Sequence, residues 1–198
     1  MQDLDTELRG ILLTLARNAI IAALGGRCAP TISQEYHPRL RERHAAFVTL
    51  KAAGQLRGCI GTLVAREPLE EVVSDCAVGA ALRDPRFSAV TTGELDGITI
   101  SISVLAAPQP LPVVDRDDLL QQLRPGSDGL VVQAGHQQAT FLPQVWEQLP
   151  DPASFVEQLL HKAGLPTGHW PAGIRFQRYH SVSFSEPTPH NRAPAGPR

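Results

Sequence analysis

Residues 47–61 have the sequence FVTLKAAGQLRGCIG, and this stretch decides the type of sheet that we expect. Phe47 to Lys51 begins with aromatic and β-branched residues, Ala52 to Gln55 suits a turn, and Leu56 to Thr62 suits a second strand. Two strands joined by so short a turn pair antiparallel. The stretch therefore predicts a β-hairpin with a largely antiparallel sheet around it.

The other predicted elements follow in no regular order. Apolar residues recur every three or four positions in several segments, which predicts helices at residues 4–22, 68–82, 115–123 and 152–163. Strict or partial alternation predicts strands at residues 98–104, 130–134, 137–142, 174–176 and 182–184. The strands at 130–134 and 137–142 form a second predicted hairpin. Because two hairpins occur and β-α-β alternation is absent, we predict an α+β fold, a largely antiparallel sheet flanked by helices.

The composition excludes several classes of protein. Of the 198 residues, 42% are hydrophobic and 19% are charged, which is typical of a globular domain. The formal net charge is −2 and the sequence pI is about 6.4, so nucleic-acid binding is disfavoured. The apolar residues 11–24 contain Arg17 and are too few to span a bilayer. The three cysteines are widely spaced, which does not suggest a disulfide framework, and we expect a cytoplasmic protein.

The hexapeptide Leu56-Arg57-Gly58-Cys59-Ile60-Gly61 is unusual for a strand, because glycine loses packing contacts there. In a regular strand Arg57 and Cys59 lie on the same face. An arginine beside a cysteine stabilises the thiolate, and the glycine amides could bind an anion. The alternative is a structural role, in which Cys59 is packed and the glycines permit close approach of another element. The residues leave both interpretations open.

Two further groups of polar residues are candidates for a site. Within the segment 83–87, Arg83 and Arg86 could bind a carboxylate or phosphate while Asp84 orients one of them, or the segment could be a helix-ending turn with a local ion pair. The seven histidines show no metal-binding spacing, so we expect no metal site, and His44 is the histidine to examine beside the hairpin. Cys76 is expected to be a small buried residue on a helix.

These motifs resemble a known family. The segments 47–50, 56–61 and 83–87 look like the signature of the AMMECR domain family, whose prokaryotic branch is called AmmeMemoRadiSam system protein A. Further matching segments follow in order: Glu94-Leu95, Ser101–Leu105, Gly126–Leu130, Phe141–Val145 and Lys162–Leu165. The resemblance covers residues 8–186, which is nearly the whole chain.

The resemblance implies an α+β fold with two lobes and a cleft between them, and the hexapeptide would lie near that cleft. It places one domain over residues 1–186. Residues 187–198 lie outside it, and their proline-rich composition predicts a disordered tail. The resemblance also implies two partner proteins, a Memo-like protein and a radical S-adenosylmethionine protein. It names no cofactor and no reaction.

Two functions from different classes follow. In the first, the chain is an accessory or binding protein that holds a small ligand or a segment of a partner, and Cys59 only packs. In the second, it is a cysteine-dependent enzyme in which Cys59 reacts and Arg57 holds the thiolate or a substrate anion. The residues that would bind the small anionic or peptide substrate are Gly58, Gly61, Asp84 and Arg86. We favour the first function, because one cysteine and one arginine are fewer groups than catalysis needs.

Overall fold

The computed structural model describes residues 4–27, 38–166 and 170–187, and it divides into two compact units. Unit 1 runs to Val104 and includes the residues from Val182 onward, whereas unit 2 is Leu105–Ser181. In chain order the elements are α1 (Thr6–Ala23), β1 (Ala45–Ala52), β2 (Gln55–Gly61), α2 (Leu69–Leu82), β3 (Ile98–Leu105), β4 (Gln109–Leu111), α3 (Arg116–Gln122), β5 (Gly129–Ala134), β6 (Gln137–Phe141), α4 (Pro152–Lys162), β7 (Arg175–Tyr179) and β8 (Ser181–Ser185).

The sheet of unit 1 has the strand order β2-β1-β3-β8, which leaves β2 at an edge. β1 and β2 pair antiparallel and are joined by Ala53 and Gly54, whose φ angles are 48° and 80°. Positive φ at both positions is the geometry of a type I′ turn, which matches the twist of the flanking strands. The apolar sides of α1, α2, β1 and β3 share one buried core, and the alternation of residues 98–104 decides which face of β3 enters it.

The register of the hairpin contains one irregularity. Leu50 faces Gly58 but Lys51 faces Leu56, so Arg57 is an extra residue on β2. Such a bulge bends the strand and interrupts the alternation of side chains. Because of the bulge, Arg57 does not follow the regular alternation of side chains. The prediction that Arg57 and Cys59 share a face assumed that alternation.

A partly buried ion pair ties the two ends of unit 1 together. Arg17 of α1 donates from Nε to Glu186 Oε1 at 2.6 Å, and its other nitrogens donate to the carbonyl oxygens of Leu95 and Ile98 at 3.0 and 2.7 Å. Glu186 in turn accepts the backbone N–H of Ile100. These partners offset the hydration that the partly buried guanidinium loses, and the network fixes the chain after β8 beside α1.

Unit 2 has the strand order β4-β7-β5-β6, and its neighbouring strands pair antiparallel. α3 and α4 cover one face of this sheet. Asp151 begins α4 by accepting the N–H of Ser154 at 2.8 Å, and Pro152 occupies the first turn. The indole of Trp146 stacks on Phe155 with 3.7 Å between ring centroids. The core therefore forms between the helices and the face of the sheet that carries Leu130, Val132 and Phe176.

The α+β class is confirmed, and the strands are divided between two sheets. All four predicted helices and both hairpins are present, whereas β4 and the 3₁₀ helices at Thr92–Gly97 and Pro143–Glu147 were not predicted. No helix among the described residues is long and apolar enough to cross a membrane. The cleft between two lobes stays a prediction. The low periodicity of residues 28–43 predicts a loop with short turns; residues 28–37 lie outside the described residues, and Pro38–Arg41 is a 3₁₀ helix. All of the predicted tail except Pro187 also lies outside the described residues.

Candidate functional site

Cys59 lies on the edge strand β2 directly opposite Thr49 of β1. The Thr49 hydroxyl donates to Cys59 Sγ at 3.3 Å, and the cysteine is half-buried. The backbone groups of Cys59 bond to the segment after α2. The N–H donates to Asp84 Oδ2 at 2.8 Å, and the C=O accepts from an Arg86 Nη at 3.3 Å. The turn after α2 thus pairs with the edge of the sheet in place of another strand.

Asp84 and Arg86 act as one unit at this edge. Arg86 donates to the two carboxylate oxygens of Asp84 from Nε at 3.0 Å and from Nη at 2.7 Å, which is the bidentate geometry of a strong ion pair. The Asp84 side chain is only 2% exposed, whereas that of Arg86 is 54% exposed. The structure therefore contains the predicted pairing of Asp84 with an arginine. A substrate-binding role for either residue stays a prediction.

The charge of Asp84 is stabilised by the donors around it. The Arg86 guanidinium and the backbone N–H groups of Cys59 and Arg86 hold the pKa of this carboxyl well below its usual range, although burial alone would raise it. Asp84 is consequently an anion at any physiological pH. An ionised acceptor makes a stronger hydrogen bond to the Cys59 N–H than a neutral one.

Both glycines of the hexapeptide are required by close packing. A Cβ on Gly58 would lie 2.1 Å from the carbonyl oxygen of Ala80 in α2, and a Cβ on Gly61 would lie 2.2 Å from the ring of Phe47. Ile60, on the same face as Gly58, packs against the core of unit 1. The steric contacts account for both glycines, in agreement with the structural alternative. Anion binding by their amides stays a prediction.

Arg57 is bound by a short helix rather than by the hairpin. Its Nε donates to Glu94 Oε1 at 2.9 Å, and one Nη donates to the carbonyl oxygen of Ser88 at 2.8 Å. Glu94 also accepts from the N–H and the hydroxyl of Thr91, which is a capping box at the start of the 3₁₀ helix Thr92–Gly97. These donors, of which Arg57 has the largest effect, lower the pKa of Glu94 to about 2. The guanidinium that was predicted to hold the Cys59 thiolate is thus engaged with other acceptors.

Two other predicted residues lie elsewhere. Cys76 is 7% exposed on α2, as expected for a packing residue, and burial raises the pKa of its thiol to about 11. His44 precedes β1 and contacts the carboxylate of Glu42 at 3.1 Å. In the part of the chain that the structure describes, no group of three or more metal-binding side chains comes together.

Sequence reasoning missed two partners of the motif, Thr49 and Glu94. Thr49 is ten positions from Cys59, and only the hairpin register brings them together. The capping box Thr91-x-x-Glu94 has a sequence signature that predicts a helix start there. That signature contains no information about Arg57, which is 37 positions away.

These contacts show which groups of the site are engaged and which are exposed. Asp84 and Glu94 are engaged with Arg86 and Arg57, so the charges of the motif hold the strand in place. Cys59 is half-buried with a hydroxyl donor beside its sulfur, and the guanidinium of Arg86 is exposed. Leu56 and Val64, near the two ends of β2, are 43% and 51% exposed. This combination is typical of a recognition surface.

The sequence and the fold are both similar to those of known proteins. A protein from Thermofilum pendens is 33% identical over 96% of this chain and 94% of its own length, and one from Methanothermobacter thermautotrophicus is 38% identical over 88% and 92%. The crystal structure of an uncharacterized protein from Pyrococcus horikoshii superposes with a TM-score of 0.82 at 31% identity, covering 91% of this chain and 92% of that one. The model of the AMMECR1 family matches residues 13–184. The chain therefore belongs to the AMMECR1 family.

Proposed function

We propose that this chain is an accessory or binding protein that recognises a partner through the exposed side of β2. We call this the β2 surface, and it consists of Leu56, Cys59, Val64 and Arg86. One observation carries the proposal: the charged groups of the motif are engaged in holding the edge strand, while apolar side chains beside it are exposed. Exposed apolar groups next to an arginine favour protein recognition.

The mode of recognition follows from the edge of the sheet. An exposed edge strand ordinarily invites another strand to pair with it. At the centre of β2 this is prevented, because Asp84 and Arg86 already bond the N–H and C=O of Cys59. A partner would therefore contact the side chains of the β2 surface rather than extend the sheet.

The partners we propose are the two that the sequence resemblance implies, a Memo-like protein and a radical S-adenosylmethionine protein. The net charge of −2 and the sequence pI of about 6.4 favour a protein partner over nucleic acid. The chain would act on the activity or assembly of such proteins without carrying out a reaction itself.

Biolayer interferometry with the purified partners tests this proposal. We expect binding by the wild-type chain and at least ~10-fold weaker binding by Val64→Asp, since interface anchors typically contribute more than ~1 kcal/mol. Val114→Asp is a matched control, because Val114 is 89% exposed in unit 2, away from the β2 surface in sequence. Absence of binding to either partner, or equal losses in the two variants, would refute the proposal.

A cysteine-dependent enzyme is the second candidate, and the Thr49–Cys59 contact favours it. A hydroxyl that donates to a sulfur at 3.3 Å could stabilise negative charge forming there during reaction. The substitution Cys59→Ser separates the two candidates, because serine keeps the shape of the side chain but is a much weaker nucleophile. Retained partner binding and retained activity of the reconstituted system support the accessory role. Retained binding with lost activity supports catalysis by Cys59.

A further inference from the structure

Unit 2 contains a cavity on the face of its sheet that the helices leave open. The cavity has a volume of about 440 Å³, within the range of small-molecule sites. Leu111, Val132 and Phe176 point into the core beneath α3 and α4, so their sequence neighbours point to the opposite face. The side chains of that opposite face which line the cavity are Pro110, Pro112, Val131, Gln133, Arg175 and Gln177.

The strand register arranges these side chains in two rows. Pro110 faces Gln177 across β4 and β7, and Gln177 faces Val131 across β7 and β5. Two residues along, Arg175 faces Gln133. The middle strand β7 therefore carries the polar residues Gln177 and Arg175, with Pro110 and Pro112 on the β4 side and Val131 and Gln133 on the β5 side.

The polar side chains of the lining offer hydrogen-bond donors to an anion. Of the lining residues that the structure describes, Arg175 is the cation and none carries a carboxylate. Among the described residues, no hydrogen-bond or ion-pair partner is found for the side chains of Arg175, Gln133 or Gln177. A guanidinium beside two amides suits a planar carboxylate, which accepts two parallel N–H bonds from arginine.

The wall formed by β4 argues against a peptide strand as the occupant. β4 is three residues long, at the edge of the sheet, and has proline at its centre. Proline has no N–H to offer to an added strand, and Pro112 follows immediately after β4. The exposed rings of Pro110 and Pro112 instead provide an apolar surface for a small planar group.

We propose that this cavity binds a small molecule with an aromatic or aliphatic body and one carboxylate, the body lying on Pro110 and Pro112 and the carboxylate on Arg175. The described lining residues all belong to unit 2, and none of them is part of the β2 surface. The proposed ligand site does not depend on the proposed accessory function.

The test uses 4-(trifluoromethyl)phenylacetate and its neutral amide as paired probes, followed by fluorine NMR. We expect the carboxylate to bind with a Kd below ~1 mM and the amide at least ~10-fold more weakly. Arg175→Gln should reduce the affinity for the carboxylate to that for the amide. Arg116→Gln is the matched control, because Arg116 is an exposed cation of unit 2 outside the cavity and should leave the affinity unchanged.

A second measurement locates the site without any variant. Amide proton–nitrogen spectra of the wild-type chain, titrated with the carboxylate, should shift at residues 110–113, 131–133 and 174–177. The proposal is overturned if neither probe saturates, if carboxylate and amide bind equally, or if the shifts fall elsewhere. Loss of affinity in both arginine variants would also overturn it, since long-range charge and not the cavity would then attract the probe.

Discussion

The substitution Gly58→Ala tests whether the glycine of the hexapeptide serves packing or anion binding. The added methyl group would lie 2.1 Å from the carbonyl oxygen of Ala80 and 3.0 Å from its carbonyl carbon. Ordinary contact begins at 3.4 Å, so β2 and α2 would have to separate by roughly 1.3 Å. Alanine keeps the backbone N–H, so a purely anion-binding glycine would tolerate the change.

The expected cost is set by the atoms that would have to move. Overpacking of a well-packed core typically costs about 1–3 kcal/mol. We expect the upper end of this range, ~3 kcal/mol, because the atoms in contact are backbone atoms that cannot rotate away. For a protein of this size ~3 kcal/mol corresponds to a Tm lowered by ~6–12 °C.

Thermal unfolding followed by far-UV circular dichroism, together with urea unfolding, measures this cost. Gly93→Ala is the control, because a Cβ there would meet nothing within 4 Å. We expect the control to change the unfolding free energy by less than ~0.5 kcal/mol. A Gly58→Ala variant as stable as the control would refute the packing argument and revive the anion-binding interpretation of the glycine.

Two further predictions concern the charges and thiols of unit 1. Because the pKa of Glu94 is lowered to about 2 by Arg57, its stabilising effect is present above pH ~4.5 and is lost as the pH falls toward 2. In urea unfolding, the free energy of unfolding of the wild type should exceed that of Glu94→Gln by about 0.5–1 kcal/mol at pH 7 and equal it near pH 2. Glu71→Gln is the control, because Glu71 is exposed. A difference between wild type and Glu94→Gln that stays constant with pH would contradict this prediction. Iodoacetamide at pH 8 should modify Cys76 far more slowly than Cys59 in the folded chain and equally after unfolding, as measured by peptide mass spectrometry, because burial and a pKa of about 11 suppress its thiolate. Equal rates in the folded chain would show that Cys76 is accessible.

Local patterns predicted most elements because the periods of helices and strands are written in adjacent residues. The alternation at residues 98–104 and the caps at Asp151 and Pro152 depend on neighbours a few positions apart, and the structure has them as expected. β4 was missed because three residues with a central proline contain no period. The strands were expected to form one sheet, and their division into two follows from long-range pairing that alternation cannot specify.

The amino-acid sequence by itself determined the class of fold, the family and the location of the unusual motif on a hairpin strand. These depend on composition, periodicity and residue order, which are local properties. Only the tertiary structure decided what the motif's residues contact: Glu94 binds Arg57, Asp84 and Arg86 bond the backbone of Cys59, and the carbonyl of Ala80 excludes any side chain at Gly58. The physical reason is that hydrogen bonds and steric contacts act over a few ångströms in space. The residues that make them are ten to almost forty positions apart in the chain.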